Sequence, residues 1–144
     1  MRLAVLADIH GNLAALEAVL DALRSRAVDA TVNLGDLVTA PLWPAETLDL
    51  LDTLALPTVR GNHDRWLLER APAEMPASMR LAWEALTPAR REALGALPPA
   101  LWVADDILAV HGTPASDTEY LLEQATDRCE DCANVLESVV VKHG

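Results

Sequence analysis

The chain has 144 residues, 51% of them hydrophobic, enough for one domain with a buried core and too apolar for a disordered segment. Its 22 acidic residues against 11 basic ones leave a formal charge of -11, and Lys142 is the lone lysine. That balance argues against nucleic acid polymers and anionic membranes as partners, because both are held by clustered Lys and Arg. No apolar run approaches the length of a membrane span, and the Met1–Ala7 segment is too short for a signal sequence, so a cytoplasmic location is expected.

The first apolar run, Arg2–Ala7, predicts a strand and leads into Asp8-Ile9-His10. Leu13, Leu16, Val19, Leu20 and Leu23 then recur at helical spacing, with Asn12 placed to cap the helix. A second strand near Ala30–Leu34 delivers Gly35-Asp36, and a second helix is predicted from about Pro44 to Leu54, since proline suits a first helical turn. A third strand near Pro57–Arg60 precedes Gly61-Asn62-His63-Asp64. Residues 72–99, broken by prolines, read as two short helices. Leu101–Ala104 and Ile107–Val110 form a hairpin across Asp105-Asp106 and end at His111-Gly112. A helix over about Asp117–Leu136 and a strand over Ser138–Val141 complete the prediction, with His143 beyond them. Alternation of strand and helix implies a mostly parallel α/β sheet, and the absence of repeats or linkers implies a single domain over residues 1–144.

In such sheets ligands bind beyond the carboxyl ends of the strands, so polar residues at successive strand ends converge. Asp8, His10, Asp36, Asn62 and His111 make a mixed oxygen and nitrogen donor set, suited to Mn, Fe, Zn, Ni or Co. Asp8 and His10 can share one ion, Asp36 can bridge two through its two oxygens, and Asn62 and His111 can hold the second. Two ions so placed would turn a bridging water into hydroxide and clamp an in-line displacement at phosphorus. His63 can then protonate the leaving oxygen, with Asp64 orienting it. Cys129 and Cys132 lack the second ligand pair of a zinc site and read as two thiols on a helix. Arg60 and Arg65 read as partners of surface acids, and the four tryptophans mainly as packing residues, with stacking of Trp43 on a substrate ring the minor alternative.

In order, Asp8-x-His10, Gly35-Asp36, Gly61-Asn62-His63-Asp64 and His111-Gly112 resemble the signature of the calcineurin-like metallophosphoesterases. The resemblance implies a β-sandwich flanked by helices in αββα layers. It also implies Asp8, His10 and Asp36 on one ion, Asp36, Asn62 and His111 on the other, and His63 as proton donor or phosphate contact. Manganese is the first expectation, with Ni, Fe, Zn, Co or Mg as alternatives. The Asp-Arg-Gly that protein Ser/Thr phosphatases carry after the second motif is replaced by Leu37-Val38-Thr39-Ala40, which resembles the small bacterial and archaeal phosphodiesterase-like branch. A small phosphorylated substrate, most naturally a phosphodiester, is therefore expected. The family's closing Gly-His-x-His is absent, and the chain ends Val141-Lys142-His143-Gly144. The expectation is a C-terminally truncated domain with each ion one ligand short. The alternative reading is a weakly active or inactive relative that binds metal or phosphate and pairs with another chain through an exposed sheet.

Overall fold

The computed structural model describes residues 1–40, 42–119 and 141–142. Strand β1 (Leu3–Leu6) lies parallel to β2 (Ala30–Asn33), joined by helix α1 (Leu13–Arg24). Asn12 caps α1 as its side chain predicts, accepting from the Ala15 amide at 3.1 Å. Helix α2 spans Pro44–Leu54, the predicted bounds. The predicted third strand is reduced to a parallel bridge between Asn33 and Thr58. Pro57 has no N–H to contribute to a ladder, and the Arg60 amide turns away to the Pro98 carbonyl.

Beyond that bridge come α3 (Asn62–Glu69), a 3-10 turn (Pro72–Glu74), α4 (Ala77–Ala85) and α5 (Pro88–Gly95). Helix α3 falls where only a strand-end loop is predicted. Strands β3 (Ala100–Ala104) and β4 (Ile107–Val110) form the predicted antiparallel hairpin, and β5 (Val141–Lys142) pairs with β4. Residues 117–119 are not helical, and the rest of the helix expected over Asp117–Leu136, with Cys129, Cys132 and His143, lies outside the described residues.

Alternation along β1 sends side chains to two cores. Leu6 joins Leu16, Val38, Leu51, Leu67 and Met79 under the helices, while Leu3 and Val5 face Val32, Val59 and Ala109. The hairpin therefore packs on the sheet face opposite the helices, and the chain has an α/β fold with two facing sheets. Among the described residues one helical layer is present. Trp66 and Trp83 pack against the helical core, whereas Trp43 and Trp102 are exposed, contrary to the packing role expected for them.

Candidate metal centre

The backbone of the loop after β1 is bonded directly to the loop after β2. Asp8 N donates to Gly35 O, His10 N to Asp36 O and Gly11 N to Leu37 O, at 2.9–3.1 Å. Asp8, His10 and Asp36 all have left-handed backbones, with φ of 53°, 48° and 57°. Each such non-glycine residue costs on the order of 1 kcal/mol, and conformations of this kind cluster at functional sites. The third loop comes equally close. A Cβ on Gly61 would overlap the Asp36 carboxylate, so a glycine is required there for close approach.

One oxygen lies at the centre of the site. Asp36 Oδ1 accepts from the His63 amide at 2.9 Å, which leaves Oδ2 facing His10 Nε2 at 3.8 Å and His111 Nε2 at 3.7 Å. The sequence reading has Asp36 bridging through both oxygens; in the structure Oδ1 accepts the His63 amide and Oδ2 is the oxygen that faces both imidazoles. Asp8 Oδ1 is 3.6 Å from His10 Nε2. Donor atoms of Asp8, Asp36 and His111, and of His10, Asp36 and His63, fall within 4.8 Å of one another. The four loops thus bring Asp8, His10, Asp36, His63 and His111 together in two triads that share Asp36, grouping Asp8 with His111 and His10 with His63 rather than as the predicted ligand sets have them.

The donor chemistry fits divalent ions. His111 Nδ1 lies 2.8 Å from the Leu34 carbonyl, which can only accept, so Nδ1 carries a proton. In the neutral ring Nε2 is then a lone pair, 3.0 Å from Asn62 Oδ1, itself an acceptor. Either a proton on Nε2 or a cation bound by both atoms satisfies that contact, and the paired nitrogen and oxygen donors suit a divalent ion. A backbone carbonyl on the outer ring nitrogen is also the usual support of a metal-binding histidine.

Electrostatics follow the same arrangement. Burial works to raise the Asp8 carboxyl, but His10, His111 and His63 outweigh it and hold it below the ordinary value. The Asp8 carboxylate raises His10 against the effect of burial. Burial raises Asp36 despite its imidazole neighbours, and burial together with the charge of His10 lowers His63.

Asp64 does not contact the His63 ring, which corrects the expected pairing. Its carboxylate accepts from the amides of Asp36 (2.8 Å), Leu37 (3.0 Å) and Gly61 (2.9 Å), the last closing the first turn of α3. It is fully buried, and burial together with the Asp36 charge pushes it up to about 6 against those three amides. The side chain on His63 Nδ1 is Thr39, at 2.8 Å, and the same hydroxyl is 3.1 Å from His10 Nδ1. Sequence reasoning missed Thr39, whose signal was a hydroxyl three residues after Asp36. Arg65 is bound by Asp117 and Glu69, as expected of a surface pair, and Arg60 donates to the Gly95 carbonyl. No described helix is long and apolar enough to cross a membrane.

Comparison with known proteins agrees with this geometry. The family model for calcineurin-like phosphoesterases matches residues 1–140. An uncharacterized protein of Methanocaldococcus jannaschii is 41% identical over 66 residues, which are 46% of this chain and 27% of that protein. The crystal structure of a metallophosphoesterase from Sphaerobacter thermophilus superposes with a TM-score of 0.68 at 33% identity, covering 84% of this chain and 51% of that one. A hypothetical protein from Pyrococcus horikoshii gives a TM-score of 0.72 at 27% identity, covering 85% and 59%. The chain therefore spans little more than half of these solved structures and about a quarter of the Methanocaldococcus protein.

Proposed function

The chain belongs to the calcineurin-like phosphoesterase family, and from that premise we propose that it hydrolyses small phosphate esters, phosphodiesters first, with two divalent ions. The observation that carries this reading is Asp36 Oδ2, a single carboxylate oxygen faced by His10 Nε2 at 3.8 Å and His111 Nε2 at 3.7 Å. Asp8, His10 and Asp36 would hold one ion, and Asp36, Asn62 and His111 the other, with manganese the first candidate. Ions held there would supply an acidified water as nucleophile and positive charge for the phosphoryl oxygens.

The protein's own residues do the rest. Asp36 Oδ1, tied to the His63 amide, fixes the loop that carries His63 beside the centre. His63 lies edge-on to His10, with ring centroids 5.2 Å apart, and against Trp66 at 5.0 Å, so its plane is set on both sides. From there it can give a proton to the departing oxygen. The acidic character of the chain disfavours polymeric nucleic acid as the substrate.

The test is protein stripped with chelator, reloaded with Mn or Ni, and assayed on an aryl phosphodiester. Metal-dependent turnover is expected, with losses of about a hundredfold or more in Asp36→Asn and His63→Ala. Activity indifferent to both substitutions would sink the assignment.

A second reading, a metal- or phosphate-binding chain that associates with a second copy and does not turn over, draws on Trp102. This residue is 64% exposed on β3, which has no neighbour on its outer edge among the described residues. A monomer in sedimentation with two bound ions and full turnover rules it out.

A further inference from the structure

Thr39 is buried in the loop between β2 and α2, and its hydroxyl stands between two imidazoles, 3.1 Å from His10 Nδ1 and 2.8 Å from His63 Nδ1. A hydroxyl has one proton to give, so it cannot donate to both rings. Among the described residues Oγ1 has no other hydrogen-bond partner, so the arrangement that also uses its buried proton has one nitrogen donating to Oγ1 and the other accepting from it. His10 decides which. Its Nε2 points at the carboxylates of Asp8 (3.6 Å) and Asp36 (3.8 Å), the place of the ion in the reading above. With Nε2 used as a ligand, the remaining proton of the neutral His10 ring is on Nδ1 and is donated to Thr39. The Thr39 O–H is then free only for His63 Nδ1.

We propose that Thr39 is a positioning residue that couples the two histidines, fixing His63 as the tautomer protonated at Nε2 and so aiming its proton away from the protein. No described side chain or carbonyl is bonded to His63 Nε2, and Trp66 and His10 against its faces and edges keep the ring from turning over. The hydroxyl thus does for this histidine what a buried carboxylate does elsewhere, without adding a negative charge to a site that already holds Asp8 and Asp36. Neutral threonine gives the ring direction without placing a further charge beside it. The inference rests on the metal-dependent phosphoesterase reading.

The experiment is nitrogen-15 NMR of the histidine rings in the whole chain loaded with diamagnetic Zn, with His63 assigned from the spectrum of His63→Gln. The expected result is His63 protonated at Nε2 in the wild type and in Thr39→Ser, and a mixed or reversed tautomer in Thr39→Val. Thr39→Val should lose about tenfold or more in kcat on an aryl phosphodiester with KM little changed, and Thr39→Ser should restore most of it. A His63 protonated at Nδ1 in the Zn-loaded wild type overturns the proposal, as does a tautomer and kcat unchanged in Thr39→Val. These failures, in a protein that binds metal and turns over, leave the enzymatic reading intact. A wild type that neither binds Zn nor hydrolyses the ester removes both. Were Thr39→Val not to fold, the wild-type tautomer alone decides.

Discussion

The carboxylate of Asp64 holds the backbone of Asp36, accepting its amide hydrogen at 2.8 Å from a position 28 residues further along the chain. The central metal-type oxygen is thereby aimed by a residue that never touches the site. Asp64→Asn keeps the shape but turns an amino group toward one of three amides. The expected cost is about 2–4 kcal/mol in urea unfolding of the ion-free protein, since a buried donor loses its partner. Manganese affinity by calorimetry should fall by about tenfold or more, as it does when supporting residues around a metal are removed.

Gly61→Ala separates space from backbone freedom. Gly61 has φ of -84°, which alanine adopts without strain, so any effect comes from the added methyl against the Asp36 carboxylate. Metal binding and turnover should both be lost, at a stability cost of about 1–3 kcal/mol. Unchanged metal stoichiometry in this variant would show that the two loops are not held in contact.

The segment after His111 is tied to α3 by Asp117, which takes the Arg65 guanidinium through both oxygens at 2.7 and 2.8 Å. The Arg65 bond holds the Asp117 carboxyl below its ordinary 3.8. The folded state therefore binds this proton less readily than the unfolded state. The stabilisation is full above about pH 4 and disappears as pH falls through the lower, folded value. Asp117→Asn should cost about 0.5–1 kcal/mol at neutral pH, near the top of the range for such pairs, and should flatten the acid limb of the stability curve. Urea midpoints at pH 7 and pH 3 measure both.

Helix α2 ends at Ala55 with φ of 47°, where its amide donates to Leu51 O at 3.1 Å. Glycine takes that conformation freely, so Ala55→Gly should stabilise the protein by roughly 0.5–1 kcal/mol, offset in part by greater freedom of the unfolded chain. A lower melting temperature in this variant would contradict the expectation.

How much of this was legible beforehand depended on the range of the interaction. Helix α2 was readable to its ends because Pro44 and the leucine spacing act within a few residues. Helix α3 was not, since its opening Asn62-His63-Asp64-Arg65 is polar and presents no apolar stripe, although Asp64 three residues beyond Gly61 was a usable capping signal. The third strand shrank to one bridge because Arg60 N is taken by Pro98, a pairing 38 positions away. The residue types at the strand ends announced the donor set, but not its division of labour. Asp64 next to His63 in sequence suggested a pair, and the amides that claim its oxygens come from another loop. Thr39 was missed for the same reason: its partners His10 and His63 lie 29 and 24 residues away.

The left-handed backbones of Asp8, His10 and Asp36 also bear on how the site could be moved or imitated. Copying the side chains onto ordinary strand ends would aim them elsewhere, because each direction is set by a main-chain twist that regular structure does not contain. What would have to be transplanted is the pair of interlocked turns, with Gly35 and Gly61 beneath them.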